Sequence, residues 1–164
     1  MDWHIAQLNV GRLHAPIGDP RIAAFEAALD HVNALADASP GFAWRLQTDD
    51  GNATAIKVSD DELFIVNMSV WESVEALTAF VYRSEHTPFL RRRAEWFERS
   101  ATPHLALWWV PAGTIPSLDD AMARLAHLEV HGPSPVAFTF SRRFPPDDAR
   151  PPIVPDPLRD ADQT

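Results

Sequence analysis

From Trp3 to Val10 the side chains alternate, with Trp3, Ile5, Gln7 and Asn9 on one face and His4, Ala6, Leu8 and Val10 on the other. That period of two predicts a β-strand. A loop from Gly11 to Gly18 ends at Asp19-Pro20, an N-cap followed by a first-turn proline. Ile22, Phe25, Leu29, Val32 and Ala36 then recur at helical spacing until Ser39-Pro40-Gly41 stops the helix. Phe42 to Gln47 reads as a short strand, with Asp50-Gly51 as a hairpin turn behind it. The clearest strand runs from Leu63 to Trp71. Phe64, Val66, Met68 and Val70 form an apolar face, while Ile65, Asn67, Ser69 and Trp71 form a mixed one.

Ser73 caps a helix to about Tyr82, and Thr87-Pro88 restarts helix to about Arg99. His104 to Val110 alternates as a strand. Ser117-Leu118-Asp119-Asp120 resembles a capping box ahead of a helix that stops at Gly132-Pro133, and Val136 to Phe140 reads as a last strand. The resulting order, β-α-β-β-α-β with an added α-β, predicts an α+β fold over residues 1–144. Its form is a ferredoxin-like antiparallel sheet with helices on one face. Residues 145–164, rich in proline and charge, are expected to form a disordered acidic tail. With helices on one face only, Trp3, Ile5, Ile65 and Trp71 form an apolar surface on the other, and such surfaces meet partners. Two sheets packed there make a homodimeric, dimeric α+β barrel.

Composition narrows the function. The chain has 164 residues, enough for one domain with its own core, and no cysteine, which excludes disulfides and thiolate chemistry and suits a cytoplasmic location. A net charge of −9 speaks against nucleic-acid and anionic-membrane partners. No apolar run approaches the ~20 residues of a bilayer span. The first residues lack the basic-then-apolar pattern of a leader, so none is expected. No metal site, phosphate-binding glycine loop or Gly-x-Ser-x-Gly elbow is expected.

The chemistry-bearing groups lie on the mixed face and just after it. Asn67, Ser69 and Trp71 share a face, joined by parity with Gln7 and Asn9 of the first strand. Buried amides need partners, and a ligand carbonyl or hydroxyl supplies them as well as backbone or a dimer interface would. His86, at a helix break, suits a general acid or base, a cap, or a haem ligand. Arg93 falls in a stripe with Phe89, Trp96 and Phe97. It must find a carboxylate such as Glu26 or Glu95, a carbonyl, an aromatic face or a ligand anion. Trp108 and Trp109 point one indole to each sheet face, and His104 reads as an ordinary strand residue.

Several segments carry a family resemblance: Trp3-His4-Ile5-Ala6-Gln7-Leu8-Asn9, Arg93-Ala94-Glu95-Trp96-Phe97, Leu107-Trp108-Trp109-Val110-Pro111-Ala112-Gly113, Gly132-Pro133-Ser134 and Ala137-Phe138-Thr139-Phe140. Together they resemble a bacterial family known as a domain of unknown function. That family in turn resembles the dimeric α+β barrel superfamily of antibiotic-biosynthesis monooxygenases, stress-responsive barrels and haem-binding relatives. Asn67-Met68-Ser69-Val70-Trp71 resembles the Asn-x-x-x-Trp strand of cofactor-independent, quinone-forming monooxygenases, and Ser84-Glu85-His86 their Ser-x-His. Tyr82 departs from the tyrosine position of those enzymes. The resemblance implies a cofactor-independent monooxygenase acting on a small hydrophobic or aromatic compound. His86, Arg93 and Asn67 would be catalytic, and Trp71, Asn9, Gln7, Ser69, Trp96 and Trp108 would bind substrate. Isomerisation or cyclisation, a non-catalytic ligand-binding or stress-associated dimer, and a haem-dependent enzyme are the alternatives.

Overall fold

Four antiparallel strands, β1 (Trp3–Arg12), β2 (Phe42–Arg45), β3 (Phe64–Trp71) and β4 (Leu105–Pro111), pair in the order β2-β3-β1-β4 in a computed structural model of the chain. The structure describes residues 2–49, 51–84 and 87–155. This is the ferredoxin-like order, and the α+β class is as the alternation predicts. Register is set by β1, where Gln7 lies opposite Ser69 and Asn9 opposite Asn67 on one side, and Gln7 opposite Leu107 on the other. Among the described residues no helix is long and apolar enough to cross a membrane.

The helices are α1 (Ala23–Asp37), α2 (Val74–Arg83), α3 (Thr87–Arg91), α4 (Arg93–Trp96) and α5 (Leu118–His131). Their starts follow local chemistry. Asp19 accepts the Arg21 N–H at 2.8 Å in the turn before α1, Ser73 Oγ that of Ala76 at 3.0 Å, and Ser117 Oγ that of Asp120 at 3.1 Å. Gly132, at φ +73°, terminates α5 in a conformation that glycine adopts without a Cβ clash.

Tertiary contacts reshape four of the expected segments. The helix expected over 87–99 breaks at Arg92 and ends at Trp96, because Phe97 forms a β-bridge with Leu13. Backbone bonds from His14 N–H to Trp96 O and from Glu98 N–H to Arg12 O clamp that crossing at 2.8 Å each. Val136–Phe140 is no strand but one bridge, Phe138 to Leu107, since Ala137 O and Thr139 N–H are spent on flanking turns. A turn forms around Gly51, with Asp50 outside the described residues, but no second hairpin strand follows; Ile56 and Val58 instead pack onto the sheet. Residues 150–154 are not loose either. Arg124 donates to the Arg150 and Pro151 carbonyls at 3.1 Å, and Asp120 accepts from the Ile153 and Val154 N–H groups.

The coverage of the sheet differs from the one-sided arrangement expected. Ile5, Trp71 and Leu107 are buried against Ala36 of α1 and Val74 and Leu77 of α2. Ile65 lies with Trp96 and Phe97. The opposite face, with Leu8, Met68, Val70 and Trp108, is covered by Ala121, Leu125 and Leu128 of α5 and by Trp44, Leu46, Ile56 and Val58. The added helix thus occupies the second face, and both faces are closed within one chain.

Candidate functional site

Between the mixed face and α1–α4 lies a cavity of about 270 Å³. Its floor is a polar cluster imposed by strand register. Gln7 Nε2 donates to Asn67 Oδ1 at 2.9 Å and to Ser69 Oγ at 2.8 Å, and the Trp71 indole N–H donates to Ser69 Oγ at 2.9 Å. Ser69 thereby accepts twice. The Asn67 amide N–H₂, the Gln7 carbonyl and the Ser69 hydroxyl hydrogen have no partner among the described residues, so they are available to a ligand. Asn9, opposite Asn67, lines the same floor. The roof is apolar: Phe25, Leu29 and Val32 from α1, Leu77 and Phe80 from α2, and Phe89 from α3.

Arg93 closes one end. Its Nη2 donates to Val10 O at 3.1 Å and its guanidinium lies 4.5 Å from the centre of the Phe97 ring. No carboxylate pairs with it among the described residues: Glu26 accepts from Gly18 N–H, and Glu95 holds Arg92 at 2.8 Å. Burial pushes the Arg93 pKa below its ordinary value. Gly11 makes room for this packing, since a Cβ there would stand 2.5 Å from the Phe97 ring and 3.0 Å from Arg93 Nη2. His104 lines the cavity too, and its pKa is lowered by desolvation and by the charge of Arg93. Its imidazole is therefore neutral at pH 7 and able to accept a proton.

Gln7, Asn9, Asn67, Ser69, Trp71, Arg93 and Trp96 all line the one cavity. Trp71 does so as a wall: it is fully buried, stacked on Phe80 at 5.0 Å and edge-on to Phe42 at 5.4 Å, with its N–H committed to Ser69. Trp96 packs 5.7 Å from Phe25 beneath Arg92. Trp108 lies elsewhere, in the core of the opposite face, 5.6 Å from the Arg124 guanidinium. The outcome follows from parity, because Trp108 sits opposite Ala6 and so points away from Gln7. His86 and Glu85 lie outside the described residues.

Two lining residues escaped the sequence. His104 precedes β4, and only the bond from Val10 N–H to His104 O brings it beside Arg93. Arg45, opposite Ser69, is buried and held by Asp37 at 2.7 and 3.2 Å and by Gly51 O at 2.7 Å. A charged residue next to Trp44 in an apolar strand was the available signal for Arg45; its register against Ser69 was not legible.

Residues 4–153 match a family described as "Domain of unknown function (DUF3291)". No curated protein matches the sequence. Among solved structures, SnoaB, a cofactor-independent oxygenase from Streptomyces nogalater, is 17% identical, with 70% of this chain and 98% of that chain covered and a TM-score of 0.45. A protein of unknown function from Nitrosomonas europaea is 13% identical, with 70% and 96% covered and a TM-score of 0.46. A monooxygenase of Streptomyces coelicolor, in complex with nanaomycin D, is 21% identical, with 70% and 92% covered and a TM-score of 0.41.

Proposed function

We propose, from the premise that this chain belongs to the DUF3291 family, that its cavity binds a small, flat, hydrophobic compound bearing an enol or phenol oxygen and oxygenates it without a bound cofactor. One observation carries the reading: Arg93, packed against Phe97 with no carboxylate partner among the described residues, at the end of a cavity with an amide-hydroxyl floor and an apolar roof. A guanidinium so placed is completed by a ligand anion.

In this reading Asn67, Gln7 and Ser69 orient the substrate oxygens, with Asn9 beside them. Trp71 and Trp96 supply aromatic walls, Trp71 also fixing the Ser69 hydroxyl through its indole. A histidine takes the enol or phenol proton, and Arg93 stabilises the anion. His86 is the candidate drawn from the sequence, and His104 is the histidine that lines the cavity. The electron-rich ring carbon then bonds to dioxygen. One oxygen atom is retained as a quinone carbonyl and the other leaves as water, so the substrate itself supplies the electrons.

Oxygen uptake with phenolic polycyclic compounds tests the proposal. Activity should fall about 10- to 100-fold in Arg93→Gln, the scale of a lost charged hydrogen bond at ~1.5–3 kcal/mol. It should fall likewise in Asn67→Ala, with both variants still folded. Tight, Arg93-dependent binding without oxygen consumption would leave a ligand-holding protein instead. A Soret band in haem-replete preparations would favour haem chemistry.

A further inference from the structure

Away from the cavity, α5 carries two histidines four residues apart, His127 and His131, although no metal site is expected from the sequence. Residues at i and i+4 share a helix face with Cβ atoms ~5–6 Å apart. Here the imidazole centroids are 4.3 Å apart and the rings are tilted 39° to one another. From these positions we infer that His127 and His131 form a two-histidine chelate for a divalent transition metal ion, Cu²⁺, Ni²⁺ or Zn²⁺.

Three observations support it. Metal–imidazole bonds of about 2.0–2.1 Å need two donor nitrogens roughly 3 Å apart, a span that fits ring centres 4.3 Å apart. His127 Nδ1 is buried with no hydrogen-bond partner among the described residues, the single imidazole nitrogen so placed. Polar atoms in that position cost stability until something satisfies them. Both residues occupy the last turns of α5, where the carbonyl end of the helix favours a cation.

Arg124 opposes a cation, but Asp120 already neutralises it at 2.7 Å. No group of three or more histidine or carboxylate side chains that could hold a metal occurs among the described residues. The proposed set is therefore these two imidazoles, with solvent completing the coordination on the exposed His131 side. Such a site suits imidazole-preferring ions, with Cu²⁺ bound more tightly than Ni²⁺ or Zn²⁺.

Isothermal titration of the full chain with NiCl₂, ZnCl₂ and CuCl₂ at pH 7.5 tests the inference. One saturable site per chain is expected, together with a metal-dependent rise in Tm, because the unfolded chain does not hold the pair together. Exposed His131 is the residue to change first: His131→Ala should abolish both signals. His131→Asp should retain weakened binding, and His104→Ala should leave binding intact. Absence of saturable binding, or binding unchanged in His131→Ala, overturns the proposal.

Discussion

The two faces of one sheet differ more than their shared strands would suggest. On the α5 side, Leu8, Met68, Val70, Ala106 and Trp108 pack with no polar side chain from the strands between them. On the α1–α4 side the alternate residues of the same strands, Gln7, Asn9, Asn67 and Ser69, form a hydrogen-bonded floor under a cavity. Two of the buried indoles make the contrast concrete. Trp71, on the polar face, has its N–H met by Ser69, whereas Trp108 Nε1, on the dry face, has no partner among the described residues. A dry, closed face anchors the sheet, and the face opposite holds its polar groups along the cavity.

The strongest perturbation of that contrast lies at the strap closing the dry side. Arg124, fully buried, holds Asp120, Val136 O and the 150–151 carbonyls. Arg124→Ala should cost about 3–5 kcal/mol in urea unfolding, because Asp120 is left as a buried charge. A loss under ~1 kcal/mol would mean that the strap contributes little. Neighbouring positions on β3 sharpen the comparison. Met68→Ala, from a side chain 1% exposed, should lose about 2–5 kcal/mol, while Asn67→Ala should stay within ~0.5 kcal/mol yet lose ligand affinity. Equal effects on stability would erase the distinction between the faces.

Ser69→Ala removes the acceptor shared by Gln7 and Trp71. A cost of about 1–3 kcal/mol by chemical denaturation is expected, with weaker ligand binding. The smallest effect is one of pH. His104 and His127 both titrate below their ordinary value in the folded state. Between the ordinary histidine pKa of about 6.5 and the lower folded values, the unfolded chain binds more protons. Stability should therefore be complete above pH ~6.5 and decline as pH falls below it. His104→Gln should flatten part of that slope through the cavity face, and His127→Gln part through the dry face.

Much of the candidate site was legible in the sequence. Alternation from Leu63 to Trp71 places Asn67, Ser69 and Trp71 together, and the helical stripe through Phe89 and Arg93 marks a cation among apolar neighbours. Its reach ended where partners were distant in sequence. Arg93 meets Val10 O rather than Glu26 or Glu95, and the helix expected to carry it stops where Phe97 pairs with Leu13.

The chain alone determined the four paired strands, which of their side chains share a face, and where Asp19, Ser73 and Ser117 start helices, because these depend on dihedral preferences and hydrogen bonds within a few residues. Only the tertiary structure decided which helix covers which face, that α5 and residues 150–154 close the second one, and that His104 joins Arg93. Face-to-face choices are made by burial of apolar area summed over segments far apart in sequence, a quantity no local pattern contains.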